Sequence, residues 1–599
     1  MVTREQTQAK MDLVAAGAMK HTPEQSYTIV DRLEEWAAQA PERPFLIWNG
    51  RTFSYGEVNT QANRYAHFAL GCGLQPGEVV ALLMENRPQY LFVWFALAKI
   101  GCVSALINNQ ISGDALRHAL VTTASQRLFI GSECLDRLEH TPEIPERFPG
   151  YVVPDDGEPG VIPSTWLRLD EQLASLPGTN PDAALRRDVI GRSTLCLVFT
   201  SGTTGLPKAA RITHSRWLGV GEGWANFLGV GREDVFYCVL PLYHVAAMMS
   251  LLSNAMACGG SVVLKRRFSA SRFWRDVREH GVTVAQYSGE LCRYLFNQPS
   301  APDDRAHKLR VMTGSGLSPS IWRAFQERFG VTRMIEGYGG TEINVGLMNV
   351  DDRVGSCGRL PFKERSNARL VKYDRDNDCY IRNPDGTLIE CEAGEVGEML
   401  GMILELPGVT GGRFDGYTDA EATEKKILRN AFRPGDAWLR TGDLFRRDED
   451  DYYYFVDRVG DTFRWKSENV STTEVSGALE DCPGLDTITV YGVSIPGQEG
   501  RAGMATVVMQ PGQRFDPADF YRRANDKLPG YAIPVFIRLR TNADITATFK
   551  LRKVDLQKLG YAAAAGDELF VTDPGAGSYV PLTGESLTRL GMAPQPQSA

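Results

Sequence analysis

Two kinds of apolar pattern alternate along the first three hundred residues. Thr28 to Ala40 and Glu57 to Leu70 carry apolar residues three and four apart, the spacing of a helix with one buried face. Val79-Val-Ala-Leu-Leu-Met84 is a short unbroken apolar run, which predicts a strand buried on both sides. Gly113 to Leu120 returns to the helical spacing. Later, Thr194 to Phe199, Val235 to Leu240, Ser261 to Leu264 and Thr283 to Gln286 read as strands. Ala246 to Ala257 and Ser269 to His280 read as helices between them. This alternation predicts parallel sheets covered by helices. From Asp374 to Gly416 the texture changes to short strands and turns rich in Asp, Asn and Gly, which predicts an antiparallel or distorted barrel-like subdomain. Past Asp457, the units Thr487 to Val493, Met504 to Met509 and Asp516 to Leu528 suffice for a compact α+β domain. The tail from Ala562 to Ala599 ends in Ala, Pro, Gln and Ser, and disorder is expected in its last residues.

Composition narrows the function classes. The 599 residues carry a net charge of −8 with 43% hydrophobic and 23% charged residues, which suits one large domain plus a smaller one, or three of medium size. An acidic balance argues against a nucleic-acid binder, so an anionic ligand would need local basic groups. The eleven cysteines show no paired CxxC spacing, which predicts reduced thiols and a cytoplasmic protein without a zinc framework. Met1 to Lys20 is polar and lacks the apolar centre of a signal peptide. The apolar runs Tyr90 to Ile107 and Pro241 to Leu264 are interrupted, by Lys99, Gly101 and Ser104 in one and by His244, Asn254 and Gly259-Gly260 in the other. Neither is expected to span a membrane. Peripheral contact at the inner membrane face stays open, as does the oligomeric state.

The sharpest chemical signal is Thr200-Ser-Gly-Thr-Thr-Gly-Leu-Pro-Lys208, directly after the predicted strand at Thr194 to Phe199. Glycines let a backbone approach an anion with its amides turned inward, and hydroxyls and a lysine add donors and charge. The spacing differs from the familiar P-loop, and Pro207 prevents a helix from starting on that plan. A polar surface loop is the competing reading.

That segment resembles the signature loop of the adenylate-forming enzymes, the superfamily of acyl-CoA synthetases, luciferases and peptide-synthetase adenylation domains. Pro241-Leu-Tyr-His244, Tyr338-Gly-Gly-Thr-Glu342, Trp438-Leu-Arg-Thr-Gly-Asp-Leu444 and Asp457-Arg-Val-Gly-Asp461 follow in the family's order. Thr546-Ala-Thr-Phe-Lys550 stands where the family has its C-terminal lysine motif. Gln286-Tyr-Ser-Gly-Glu-Leu-Cys-Arg-Tyr-Leu-Phe-Asn-Gln-Pro299, Gly314-Ser-Gly-Leu317, Arg464-Trp-Lys-Ser-Glu-Asn-Val-Ser-Thr-Thr-Glu474 and Tyr579-Val-Pro-Leu582 look like the fatty acid transport protein / very-long-chain acyl-CoA synthetase branch. The resemblance runs from Thr28 to Thr583. The N-terminal membrane segment of animal members has no counterpart here, so the chain looks like a soluble, bacterial-type relative.

The resemblance implies an adenylation domain over 1–457 and a small mobile domain over 458–599, with a hinge near 459–461 at Gly460. It implies ATP, Mg²⁺ and coenzyme A acting on a small-molecule carboxylic acid. Thr200, Ser201, Gly202, Thr203, Thr204, Gly205 and Lys208 would grip the outer phosphates, Tyr338 would stack on adenine, and Thr341 would bond the α-phosphate. Glu342 would hold the metal, Asp443 the ribose hydroxyls, Arg458 the ribose or phosphate side, and Lys550 would bridge carboxylate and α-phosphate. His244, Met248, Gly314, Gly316, Gly339 and Gly340 would lie on the acid's side. Each of several residues keeps a plainer reading. Tyr338 suits a core aromatic at a strand end, Asp443 a turn aspartate capping its own backbone, and Lys550 a solvated surface lysine. His244 suits a helix-start histidine, and the Met-rich run after it ordinary core packing as well as an acyl tunnel.

Two residues depart from the family pattern. Ser467 stands where glycine usually lets pantetheine pass, which narrows that channel. Gly340 replaces the branch's usual alanine and leaves room for a bulkier acid. The expected activity is therefore fatty acyl-CoA synthesis on long or very long acids. A CoA ligase for branched, aromatic or steroid-side-chain acids, an acyl-AMP ligase serving a carrier protein, and a fatty acid binding or uptake protein are the alternatives.

Overall fold

The computed structural model describes residues 2–139, 141–156, 160–169, 172–200, 207–374, 377–466, 468–496, 498–543 and 553–592. Contacts divide the chain into two compact units. One holds 1–317, 324–368 and 401–439, and the other holds 318–323, 369–400 and 440–599.

The first unit opens with a helix that the sequence pattern did not announce, α1 (Arg4–Ala18). Its start is fixed by a capping box, in which the Thr3 hydroxyl accepts from the Gln6 amide and the Gln6 side chain accepts from the Thr3 amide. It lies against a later helix through a glycine contact: a Cβ on Gly17 would stand 2.4 Å from the Glu222 carbonyl oxygen. A seam of small residues leaves little apolar periodicity to read, which is why this helix is quiet in the sequence.

The first sheet contains β1 (Val79–Leu83), β2 (Val103–Leu106), β3 (Arg127–Gly131), β4 (Gly150–Val153), β5 (Thr194–Thr200) and β6 (Lys208–Thr213). From the edge strand Leu167–Arg168 inward, its order is β4, β3, β1, β2, β5, β6, parallel throughout except for β6 against β5. Between β1 and β2 runs α2 (Pro88–Lys99), buried at every position but Gln89. The run Tyr90 to Ile107 is thus a core helix feeding a core strand. Among the described residues no helix is long and apolar enough to cross a membrane. Lys99 at its end lies fully buried and donates to Glu34 at 2.5 Å, with burial lowering its pKa to about 8. Chain direction after the glycine-rich segment follows from Pro207: Lys208 opens a strand, not a helix.

Helix α3 (His214–Leu228) follows β6, and the second sheet is built from β7 (Val235–Cys238), β8 (Ser261–Leu264), β9 (Val284–Ser288), β10 (Val311–Ser315) and β11 (Arg333–Tyr338). Its order is β11, β10, β9, β7, β8, all parallel, continued by the antiparallel edge pair Pro44–Trp48 and Arg51–Ser54. The single helix expected over Ala246 to Ala257 is instead a π-helical turn, Ala246–Leu251, that continues as an α-helix, Leu252–Cys258. The Ser253 hydroxyl donates to the Met249 carbonyl at the junction. The Trp217 indole donates to the Met248 carbonyl at 2.9 Å and fixes the turn to α3.

In the second unit, β12 (Ala368–Asp374), β13 (Val396–Met402), β14 (Ala437–Arg447) and β15 (Tyr452–Arg458) form one sheet in the order β12, β13, β14, β15. A five-stranded sheet follows, β16 (Leu485–Val493), β17 (Ala502–Met509), β18 (Phe536–Arg540), β19 (Glu568–Asp573) and β20 (Ser578–Pro581), in chain order. The helices Thr472–Leu479 and Pro517–Lys527 pack on it over a core that includes Phe463, Tyr491, Phe536 and Tyr579. All eleven cysteines are free thiols.

Candidate active site

Strand pairing in the first unit brings together residues far apart in sequence. Lys208 begins β6 in register with Thr200, the last residue of β5. The segment 416–418 is stitched onto β6: Arg211 donates its amide to the Gly416 carbonyl at 3.1 Å, and Thr418 donates to Ala209 at 2.9 Å. This holds the Tyr417 ring 5.6 Å from the Lys208 ammonium. The Tyr417 hydroxyl donates to Glu342 Oε1 at 3.1 Å, and burial with the nearby Glu342 charge pushes the phenol's pKa well up. The phenol therefore stays a donor to the carboxylate at all ordinary pH values.

Arg216, in the first turn of α3, pins the segment that carries Thr341 and Glu342. Its guanidinium donates to the carbonyls of Thr341 at 2.7 Å, Gly340 at 3.2 Å and Ile343 at 3.1 Å. Three carbonyls on one planar cation leave the 340–343 backbone little freedom. Thr341 is buried and Glu342 half-buried. Asp415 stands near this arginine, and burial raises its pKa above the usual aspartate value against the pull of Arg216. A lysine, a phenol hydroxyl and a carboxylate thus meet where β5 ends and β6 begins, and Arg216 holds the backbone that carries the carboxylate. The ammonium suits phosphate oxygens and the carboxylate a hard cation.

The residues expected on the acid's side stand at or just beyond the C-terminal ends of strands of the second sheet. Pro241 to His244 makes a turn closed by the His244 amide on the Pro241 carbonyl at 3.0 Å, and Met248 donates to the His244 carbonyl at 3.0 Å. His244 is half-buried and Met248 fully buried. Gly314 and Gly316 sit at the end of β10, and Tyr338, Gly339 and Gly340 at the end of β11. A Cβ on Gly340 would approach Ile343 Cδ1 to 2.8 Å, so the Ile343 side chain already fills the place a methyl would take.

Glu336 on β11 has no place in the motif reading and organises this region. Its buried carboxylate accepts from the Gly316 amide, from the Leu317 amide at 3.3 Å and from the Tyr287 hydroxyl at 2.7 Å. Burial raises its pKa from the ordinary 4.5 to about 7, and the three donors only partly oppose this. The folded protein then holds a proton that the unfolded chain releases. The stability this group contributes is full below pH 4.5 and is lost as pH rises through about 7. Glu336→Gln is expected to flatten that part of the stability profile, a change on the order of 3 kcal/mol between its two limits. Melting temperatures of both proteins from pH 5 to 8.5 measure it, and parallel profiles would refute the assignment.

In the second unit, Asp443 on β14 and Arg458 on β15 are cross-strand partners, with Arg458 Nε 3.6 Å from Asp443 Oδ1. The Asp443 amide donates to the Thr441 hydroxyl at 3.1 Å, Thr441 donates to the Met399 carbonyl at 2.6 Å, and the Gly442 amide donates to Glu398 at 3.0 Å. Gly460 has φ +95° and open space around its Cβ position, so it carries a conformation that other residues rarely adopt. Beside it, Lys553 donates to the Thr472 hydroxyl at 2.6 Å and to Asp461 at 3.4 Å, and stands 3.8 Å from Asp457. Ser201, Gly202, Thr203, Thr204, Gly205, Ser467 and Lys550 lie outside the described residues.

The motif reading named Lys208, Thr341, Glu342, Asp443 and Arg458 and passed over Arg216, Glu336 and Tyr417. Arg216 alone had a local sign, a basic residue in the first turn of a helix, where the helix dipole disfavours it.

Comparison with known proteins shows the family. The model of the family described as AMP-binding enzyme matches residues 33–403. The mouse (Mus musculus) long-chain fatty acid transport protein 6 is 38% identical over 566 residues, covering 93% of this chain and 89% of that protein. The mouse long-chain fatty acid transport protein 1 is 39% identical over 555 residues, covering 91% and 84%. Among solved structures, an anthranilate CoA ligase in complex with anthranoyl-AMP matches with a TM-score of 0.74 at 22% identity, covering 90% of this chain and 98% of its own. The O-succinylbenzoate CoA synthetase of Bacillus subtilis with AMP matches at 0.69 and 22%, covering 89% and 98%. With a family model over more than half its length and relatives aligned along nearly all of it, the chain belongs to the AMP-binding enzyme family.

Proposed function

We propose that the protein is an ATP-dependent acyl-CoA synthetase for long or very long aliphatic acids. A carboxylate resists thiol attack because oxide is a poor leaving group. In the first step a carboxylate oxygen bonds to the α-phosphorus of ATP, the bond to the β-phosphate oxygen breaks, and pyrophosphate departs. In the second, the coenzyme A thiol loses its proton, its sulfur bonds to the acyl carbon, and AMP leaves. Holding carboxylate and α-phosphate together costs several kcal/mol of repulsion at intermediate dielectric, on the order of 4 kcal/mol at 4 Å. Catalysis is then largely positioning and fixed charge.

The observation that carries the reading is the meeting of Lys208, Arg216, Thr341, Glu342 and Tyr417 in one unit. Lys208 and the segment from Thr200 would receive the outer phosphates and Thr341 the α-phosphate, with Tyr338 against adenine. Glu342, oriented by Tyr417, would hold Mg²⁺, which when bound neutralises charge on phosphate oxygens. Asp443 and Arg458 would take the ribose, Lys550 the carboxylate and α-phosphate together, and His244, Met248, Gly314, Gly316 and Gly339 the acid. Residues 458–599 would swing about Gly460 between the two steps, withdrawing Lys550 and bringing the segment with Ser467 toward the thiol. The named relatives are fatty acid transport proteins, which supports a long aliphatic acid. Ile343 packs where a Cβ on residue 340 would stand, so the glycine there makes room for Ile343 and does not favour a branched, aromatic or steroid-side-chain acid. The work would take place in the cytoplasm or against the inner membrane face.

One incubation tests this. Purified protein is given Mg·ATP and a panel of fatty, branched and steroid acids, with and without coenzyme A, and products are read by mass spectrometry. Acyl-CoA that requires coenzyme A is the expected result, and the panel ranks the acids. Adenylate that accumulates without reaching coenzyme A would point to a carrier-protein acceptor, and Ser467→Gly should then raise thioester formation. Binding without AMP release would mean an uptake protein.

A further inference from the structure

The turn that carries His244 is held from the other sheet. Asn86, just beyond β1 and buried, accepts from the Leu242 amide through Oδ1 at 2.8 Å. Its Nδ2 donates to the Leu240 carbonyl at 2.9 Å and to the Lys265 carbonyl at 3.1 Å. One amide side chain therefore grips the chain on both sides of Pro241 and ties it to the end of β8.

Asn86 is itself fixed by its neighbours. Arg87, also buried, donates to the carbonyls of Val153 at 2.8 Å and Pro154 at 2.6 Å and pairs with Glu133 at 3.1 Å. The Glu85 amide donates to Glu133 at 2.9 Å, and the Glu85 carboxylate pairs at 3.0 Å with Arg266, which also pairs with Asp155 at 2.7 Å. The segment 85–87 is a rigid bracket joining the C-terminal ends of the two parallel sheets.

We propose that Asn86 is a positioning residue for the acid: it sets the Pro241–His244 turn, and through it the placement of His244 and the π-helical turn that follows. The inference rests on the acyl-CoA synthetase reading, since it acts through His244. The chemistry requires an amide. A carboxylate in its place keeps the acceptor for Leu242 but turns two donated bonds into repulsion against carbonyl oxygens. An aliphatic group loses all three bonds.

The test uses the full chain with Mg·ATP and palmitate, following acid-dependent exchange between pyrophosphate and ATP, with ATP affinity measured separately without acid. Asn86→Asp is expected to slow exchange by about 10²-fold, the scale of a misplacement near 1 Å, with ATP affinity close to that of the parent. Asn63→Ala is the comparison, because that buried asparagine bonds the Gly178 carbonyl at 2.7 Å and has no contact with the turn. It should lower the melting temperature without this split between exchange and ATP affinity. In a His244→Ala background the further loss from Asn86→Asp should shrink to a few-fold, because both act through one turn. Parental exchange in Asn86→Asp, equal loss of ATP affinity and exchange, or full additivity with His244→Ala would each overturn the proposal. If Asn86→Asp does not fold, Asn86→Ser supplies the same cycle with a shorter side chain. A parent protein without acid-dependent exchange on any acid would instead overturn the functional reading itself.

Discussion

Glu342→Gln is expected to lower acyl-adenylate formation by about 10²- to 10³-fold, the range seen when one preorganised electrostatic contact is removed. The substitution isolates charge from shape. The amide oxygen can still accept from Tyr417, whose hydroxyl stands 3.1 Å from the carboxylate, and Arg216 still holds the backbone carbonyls of Gly340, Thr341 and Ile343. What disappears is the negative oxygen pair that a hard cation prefers. The loss should therefore diminish as Mg²⁺ is raised, with the melting temperature near that of the parent. Acid-dependent pyrophosphate exchange across a Mg²⁺ series measures it. A parental rate throughout would assign Glu342 a purely structural part, bonding Tyr417.

The second large effect concerns Lys550. Lys550→Ala should abolish adenylate formation, by at least about 10²-fold, and leave ATP affinity within a few-fold. A cation shared by two anions matters most when they are forced together, in the transition state and not in the bound substrates. The variant should still convert supplied acyl-adenylate and coenzyme A to product, because that step has no carboxylate–phosphate repulsion to offset. Lys553, three positions later in the sequence, is anchored to Thr472 and Asp461. Full adenylation activity in Lys550→Ala would refute the role outright.

Much of the architecture was legible before any coordinates. Strand and helix periods belong to single segments, so the runs at Val79, Thr194 and Ser261 and the helix after Ser269 stand within a residue or two of where their patterns put them. Two local features escaped. α1 buries little apolar surface and closes on its neighbour through glycine, leaving almost no periodic signal. The π-helical turn after His244 differs from an α-helix in its backbone bonding, which apolar spacing does not record.

The site divides along the same line. By itself the sequence determined the chemistry on offer: a glycine- and hydroxyl-rich segment ending in Lys208, the acidic pair of positions Glu342 and Asp443, and a C-terminal lysine at 550, all in short ordered motifs. The family resemblance those motifs carry is enough to name the expected groups, because each motif is a contiguous run. Only the tertiary structure decided what holds those donors in place. Arg216 reaches 125 residues to the Thr341 carbonyl, Tyr417 reaches 75 residues to Glu342, and Asn86 reaches 156 residues to the Leu242 amide. Tyr417 and Asn86 carry no local mark, and Arg216 only its odd place at a helix start; each gains its role when distant segments bring its partner within hydrogen-bond distance. Motifs name the groups expected to meet the ligand, and the packing of distant segments fixes where those groups stand.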